Sequence, residues 1–164
     1  MIDPLDAGNV WGALAPVPAA TISGFGLSAE GNDLLTSPGL PVSTEPLFET
    51  VALQEVSTAS GPLVQFGTDF GTRMCVRAPD GPVWSVPDRP DMPTRYVNSN
   101  PNSFAVFLLE TCRARKRFPD LGDEQIDELI GEVEQRLLAV DASAFSDPDN
   151  WWAVIYEQLR DGLL

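Results

Sequence analysis

Residues 63–86 carry three short apolar segments separated by turn residues: Leu63-Val64-Gln65-Phe66, Arg73-Met74-Cys75-Val76-Arg77 and Pro82-Val83-Trp84-Ser85-Val86. The second segment alternates charged and bulky residues, which is typical of a half-buried strand. Pro79-Asp80-Gly81 precedes the third segment and favours a tight turn, because proline presets φ, aspartate bonds its own backbone and glycine accepts a positive φ. The pattern therefore predicts an antiparallel hairpin over Arg73 to Val86.

This hairpin is predicted to lead into a helix. After a proline-rich loop at 87–93, expected to be exposed, residues 94–97 read as a further strand that ends at Asn98. Asn100 is the expected N-cap and Pro101 the first helical residue, since a side-chain acceptor followed by proline is typical of helix starts. The helix should continue to about Arg117. Its buried face is predicted to consist of Phe104, Phe107, Leu108, Thr111 and Cys112. A strand meander feeding a helix is thus the expected scaffold.

Four other segments carry separate signals, of which residues 123–140 are the clearest helix in the chain. Residues 123–140 have apolar residues at a period of 3.6, which predicts an amphipathic helix with an acidic outer face. A last helix is expected from Asp149 to about Leu159, with Asp147 as its N-cap and Pro148 at its first position. Residues 28–36 are read as a short helix capped by Ser28, and residues 46–57 as one or two strands at an edge.

Residues 1–27 are rich in proline, glycine and small residues. This composition predicts an irregular N-terminal segment, with the folded domain over residues 28–164. A length of 164 residues suits one domain with a core that needs no disulfide or metal.

The charge of the chain restricts its partners. There are 24 acidic and 10 basic residues, for a net charge of −14, and residues 1–72 contain eight acids and no Lys or Arg. Such a field repels nucleic acid and anionic membranes and speeds encounter with a basic protein. Acidity also favours solubility, so both explanations remain open.

The residue types exclude several mechanisms. There is no histidine, so Ser-His-Asp and Cys-His catalysis and histidine-ligated zinc or haem are ruled out. The two cysteines are too few for a disulfide framework, and Cys112 is expected to be buried. Cys75 shares a strand face with Arg73 and Arg77, so it is either a reduced structural thiol, which is favoured, or a thiol activated by the two guanidinium groups.

The targeting signals and charged helix faces allow further expectations. No signal peptide and no apolar run of membrane-spanning length is present, so we expect a soluble cytosolic protein without membrane contact.

The basic residues between 113 and 117 are attributed to the helix C-terminus rather than to nucleic-acid binding. The acidic face of residues 123–140 is read as solvated, with partner binding as the alternative. Trp151 and Trp152 are expected to seal the end of the sheet, with a ligand platform as the alternative.

Catalytic candidates are limited to carboxylates. Asp69 with Asp80, or Asp88 with Asp91, would be the pairs for acid–base chemistry, which is the disfavoured hypothesis because aspartates are common in loops. No phosphate-binding loop and no calcium loop is present, and no cofactor is predicted.

Several short motifs resemble the SUKH superfamily of bacterial immunity proteins, in particular its fourth subfamily. The resemblance covers roughly residues 28–162. Its motifs are the Leu-rich segment ending in Gly39-Leu40-Pro41, then Phe66-Gly67-Thr68-Asp69, Met74-Cys75-Val76, Asp80-Gly81-Pro82-Val83-Trp84, Tyr96-Val97-Asn98-Ser99 leading to Phe104, Asp141, and the helix containing Trp152. The chain departs from the family at Asn100-Pro101, in place of a second serine, and at Arg77-Ala78-Pro79, where an acid is usual.

The resemblance implies an α+β domain with a mixed or antiparallel central sheet and helices around it. It also implies a protein without enzymatic activity that binds a cognate toxin domain, often a nucleic-acid deaminase or nuclease. The charge independently favours a basic partner of this kind.

The expected toxin-binding surface combines carboxylates with one aromatic residue. Its candidates are Asp69, Asp80, Asp88 and Asp91, with Trp84 as a possible anchor, although Trp84 is more simply explained as a core residue. The alternative function is a regulatory scaffold that binds an endogenous partner, and a small carboxylate enzyme is the third hypothesis.

Overall fold

The computed structural model describes residues 3–28, 32–69, 71–89 and 91–164. The strands are β1 (Leu14–Ala15), β2 (Leu40–Pro41), β3 (Ser43–Thr44), β4 (Phe48–Thr58), β5 (Gly61–Thr68), β6 (Thr72–Val76), β7 (Val83–Pro87) and β8 (Arg95–Asn98). The α-helices are α1 (Pro4–Trp11), α2 (Ala19–Gly24), α3 (Asp33–Thr36), α4 (Pro101–Arg115), α5 (Asp123–Val140) and α6 (Trp151–Arg160). Two 3₁₀ turns lie at Phe118–Asp120 and Ala142–Phe145.

The centre of the fold is a six-stranded sheet in the order β3-β4-β5-β6-β7-β8, with every pairing antiparallel. This confirms the predicted α+β class and the strand meander. In the hairpin of β6 and β7, Cys75 lies opposite Trp84 and Val76 opposite Val83. Gly81 is needed at the turn because a Cβ there would lie 2.7 Å from the Arg77 carbonyl oxygen, rather than because of a positive φ.

The two faces of the sheet differ in what covers them. Met74, Val76 and Val83 point to the main core, where Phe48, Phe66 and Phe104 contact one another with ring centroids 5.3–6.0 Å apart. The helices pack on this face, with α4 in contact with α1, α3, α5 and β8. The opposite face carries a smaller cluster of Val56, Leu63, Cys75 and Val86 with Trp84 packed against it.

The predicted starts of the long helices are confirmed for α4 and α5. Asn100 is the N-cap of α4, its side chain accepts from the backbone N–H of Ser103 (2.9 Å), and Pro101 opens the helix. Helix α5 spans the predicted residues 123–140.

The predicted start of α6 was wrong. The Asp147 side chain accepts from the Asp149 N–H (2.9 Å) and the Asp147 carbonyl from the Asn150 N–H (3.0 Å), so Asp147 and Pro148 form a turn before the helix. Helix α6 begins at Trp151, with Asn150 as its N-cap. Aspartate followed by proline favours both turns and helix starts, and the local pattern does not separate the two.

The prediction of an irregular segment over residues 1–27 was also wrong, because the described part of this segment contains α1 and α2. Asp3 caps α1 through a hydrogen bond from the Leu5 N–H (2.9 Å), and α2 follows β1. Ala7, Trp11 and Ile22 belong to the main core. Packing of these residues offsets the low helix propensity of the glycines in the segment.

Of the short helix predicted over 28–36, the described residues show α3, which begins at Asp33 with Asn32 rather than Ser28 as its N-cap. Residues 29–31, the first part of the predicted helix, lie outside the described residues. The predicted edge strand over 46–57 corresponds to β4.

Candidate functional site

The four candidate aspartates lie at opposite ends of the sheet. Asp69 and Asp88 adjoin the end where β6 begins and β7 finishes, since Thr72 pairs with Pro87 there. Asp80 lies in the turn at the other end of β6, a five-residue strand that separates it from Asp69 by roughly 15 Å. The structure therefore does not form the Asp69–Asp80 carboxylate pair, which was one of the two pairs considered for acid–base chemistry.

Asp69 is engaged by its own chain. Its Oδ1 accepts from the backbone N–H groups of Gly71 (3.2 Å) and Thr72 (2.7 Å) and from the Thr72 hydroxyl (2.9 Å). Its Oδ2 accepts from the indole N–H of Trp151 (2.6 Å). The carboxylate thus holds the turn between β5 and β6 and attaches α6 to it.

The other three aspartates are exposed. Asp80 Oδ1 accepts a long hydrogen bond from the Asn32 amide (3.4 Å). Asp88 pairs with Arg73 (2.9 Å), and Asp91 pairs with Arg89 (2.6 Å). Exposed ion pairs of this kind contribute at most about 1 kcal/mol to the stability of the fold. These carboxylates therefore remain accessible to a partner.

Trp84 lies on the sheet face that the helices leave free. Its ring meets Tyr96 edge to face, with centroids 5.4 Å apart, and it borders a groove of about 240 Å³. The groove is lined by Thr58, Ala59, Ser60, Leu63, Trp84 and Thr94. The indole N–H has no hydrogen-bond partner among the described residues. Trp84 is half-buried and packs against the smaller cluster of Val56, Leu63, Cys75 and Val86. Its exposure is therefore intermediate between that of a core residue and that of an accessible anchor, the two interpretations made from the sequence.

Cys75 is a structural thiol. It is fully buried beside Leu63 and Val86, and burial raises the pKa of its thiol to about 12 although the nearby Arg73 acts to lower it. Burial also raises the pKa of the Cys112 thiol. The activated-thiol alternative for Cys75 was therefore wrong, because desolvation outweighs the guanidinium charge.

A buried polar network joins β8, the Ala142–Phe145 turn and α6. Asp141 Oδ2 accepts from the Asn98 amide (3.1 Å) and the Ser99 backbone N–H (2.8 Å), and the Ser143 hydroxyl donates to Asp141 Oδ1. Trp152 donates its indole N–H to Asn98 Oδ1 (2.7 Å). Burial acts to raise the pKa of Asp141, yet the hydrogen bonds from Ser143, Ser99 and Asn98 together hold that pKa below its usual value.

The family model described as SUKH-4 immunity protein matches residues 2–158, which is nearly the whole chain. The chain belongs to the SUKH-4 immunity protein family. No curated protein and no solved structure matches it. The match confirms the resemblance found from the motifs, and it extends through α1 and α2 at the N-terminus.

Three of the motif residues that suggested the SUKH-4 family have a structural role in this member. Asn98, Asp141 and Trp152 are far apart in the sequence, and all three belong to the buried network. They hold the last helix against the edge of the sheet. The motif therefore identified the fold and did not locate a binding surface.

A set of unpaired acidic residues in the described part of this SUKH-4 protein lies on and beside α5. Its members are exposed and form no salt bridge in the described part of the chain: Asp120, Asp123, Glu124, Asp127, Glu128 and Glu132. We call this set the α5 acidic ridge. The sequence signal was present, because no base occurs between Arg117 and Arg136, but it was interpreted as a solvated face.

Neither a membrane-spanning helix nor a metal cluster is present among the described residues. Among residues 3–28, 32–69, 71–89 and 91–164, no helix has the length and apolar character needed to cross a membrane. The same residues contain no group of three or more Cys, Asp or Glu placed to hold a metal ion.

Proposed function

We propose that this protein neutralises a cognate toxin by binding it, without catalysing a reaction. The observation that carries this proposal is the SUKH-4 immunity match over residues 2–158. The toxin is proposed to be a basic domain that acts on nucleic acid, either a deaminase or a nuclease. The net charge of −14 supports a basic partner, because opposite fields speed encounter and suppress other partners.

The proposed contact surface is acidic and accessible. Asp80, Asp88 and Asp91 are exposed and are kept as toxin-facing candidates, together with the α5 acidic ridge. Trp84 is proposed as an apolar contact beside its groove. Asp69 is proposed to act indirectly, since its carboxylate is occupied in holding the turn at Thr72 and the helix at Trp151.

The test is co-expression with the toxin encoded by the neighbouring gene, followed by co-purification and a growth-rescue assay. We expect a complex that survives purification and restores growth, with an association rate that falls as ionic strength rises. An unrelated protein of equal net charge is the control and should not rescue. No complex and no rescue by the full chain would contradict the proposal, and recovery of an endogenous partner instead would support the regulatory alternative.

A further inference from the structure

The outer side of β4 has no strand beside it over most of its length. Strand β3 pairs only with Phe48 and Glu49, and the Thr50 N–H bonds the Val42 carbonyl (3.1 Å). From residue 51 to Thr58, β4 has β5 on one side and no further strand on the other among the described residues. The ladder with β5 is irregular between Thr50 and Gln54 and regular from Gln54 to Thr58.

The hairpin register shows which backbone groups face the free side. Thr58 lies opposite Gly61 across a two-residue turn, and Ser57 lies opposite Pro62. Proline has no N–H, so the Ser57–Pro62 pair is a non-hydrogen-bonded pair of the antiparallel ladder. By alternation, Ser57 and Glu55 direct their N–H and C=O groups away from β5, and both residues are exposed.

This edge has few of the features that normally prevent strand addition. Residues 51–58 contain no Lys and no Pro, and the one irregularity lies before the regular segment. Val51 and Leu53 are only partly buried, so an added strand would cover apolar surface as well as pair the backbone groups.

The charge along the edge distinguishes between possible occupants. Glu49 and Glu55 are exposed on β4, form no salt bridge among the described residues, and lie in the half of the chain that has no Lys or Arg. A second copy of the chain would bring like charges together, in a molecule whose net charge is already −14. A cationic strand would instead pair with these carboxylates.

We propose that β4 binds an extended, cationic segment of the toxin by strand addition along residues 53–58. This inference rests on the proposed immunity function and specifies its surface and binding mode. The added segment hydrogen-bonds to the outward groups of Glu55 and Ser57, and its basic side chains meet the exposed Glu55 carboxylate.

The discriminating variant is Ser57→Pro. It removes an N–H that does not bond β5 and places a ring on the free side, so the fold is retained while strand addition is blocked. Ser57→Ala is the matched control, because it keeps the N–H. With the purified toxin domain of the neighbouring gene as the probe, Ser57→Pro should raise the Kd about tenfold or more, and Ser57→Ala should leave it unchanged. The melting temperatures of both variants should stay close to that of the wild-type chain.

Amide hydrogen exchange gives a second readout. The amides of Glu55 and Ser57 should exchange rapidly in the free chain and become protected in the complex with the toxin domain. Equal toxin binding by Ser57→Pro and the wild-type chain would overturn strand addition and leave the immunity function standing. Absence of binding by the wild-type chain would overturn both, and self-association that Ser57→Pro abolishes would identify a second copy as the occupant and overturn the cationic segment.

Discussion

The Asp69 carboxylate accepts four hydrogen bonds, three from the turn at residues 71–72 and one from the indole of Trp151. Asp80 has the same chemistry in another turn and, among the described residues, accepts one long bond, from Asn32. The two side chains were equivalent candidates in the sequence. The difference between them depends on Trp151, which lies 82 positions from Asp69, so no local pattern could reveal it.

Substitution should separate these two aspartates. Asp69→Ala leaves the Trp151 N–H and the turn amides without their acceptor, and we expect a loss of about 2–3 kcal/mol in the free energy of unfolding. Asp80→Ala is the matched control and should change it by less than about 0.5 kcal/mol, because Asp80 is exposed. Denaturant unfolding followed by fluorescence measures both. Equal stability of the two variants would contradict the structural role of Asp69.

At the scale of elements, the Asp141 network determines how α6 and β8 meet. Asp141 lies between α5 and the Ala142–Phe145 turn and bonds Asn98 at the end of β8, while Trp152 of α6 bonds the same asparagine. Three elements thus depend on one buried carboxylate. Each of these residues is visible in the sequence as a motif, but only the packing of the helices brings them into contact.

The lowered pKa of Asp141 predicts a pH dependence of stability. Because the folded-state pKa lies below the unfolded value of about 3.9, the stabilisation is fully present above about pH 4 and is lost as the pH falls through the folded pKa. Asp141→Asn should therefore lower stability at neutral pH and flatten the fall in stability on acidification below pH 4. Asp161→Asn, an exposed site with the same charge change, should keep the wild-type slope. Thermal unfolding between pH 2 and pH 7 measures this, and an unchanged slope in Asp141→Asn would refute it.

At the scale of the whole molecule, the negative charge is unevenly neutralised. Arg113 pairs with Asp6 and Glu110, and Arg160 pairs with Glu134, whereas the α5 acidic ridge has no basic partner among the described residues. The ridge carboxylates therefore face solvent without a neutralising cation among the described residues. Clefts and ridges of one sign increase association rates more than they increase affinity.

Removing four ridge charges should slow association with a basic toxin. The variant carries Glu124→Gln, Asp127→Asn, Glu128→Gln and Glu132→Gln, which changes the net charge from −14 to −10. We expect the association rate to fall by about tenfold at low salt, with a weaker salt dependence. The loss of stability should not exceed about 1 kcal/mol, since only Glu124 lies in the first helical turn.

A second set of four substitutions controls for net charge. Asp147→Asn, Asp149→Asn, Glu157→Gln and Asp161→Asn give the same net charge on another exposed surface. Stopped-flow association at several salt concentrations compares the two sets. If both sets slow association equally, the total charge rather than the ridge steers the toxin. An unchanged association rate in the ridge set would contradict the prediction that α5 steers the toxin electrostatically.

The sequence alone determined the α+β class, the strand meander, the capped helix at Asn100 and the family, because these depend on local periodicity, on short-range capping and on the order of motifs along the chain. Only the tertiary structure decided which carboxylates are free. The carboxylates of Asp69 and Asp141 accept hydrogen bonds from residues distant in sequence. The N-terminal residues are helical because Trp11 and Ile22 pack in the main core. Burial and long-range hydrogen bonds are properties of the folded chain, and no neighbouring residue in the sequence encodes them.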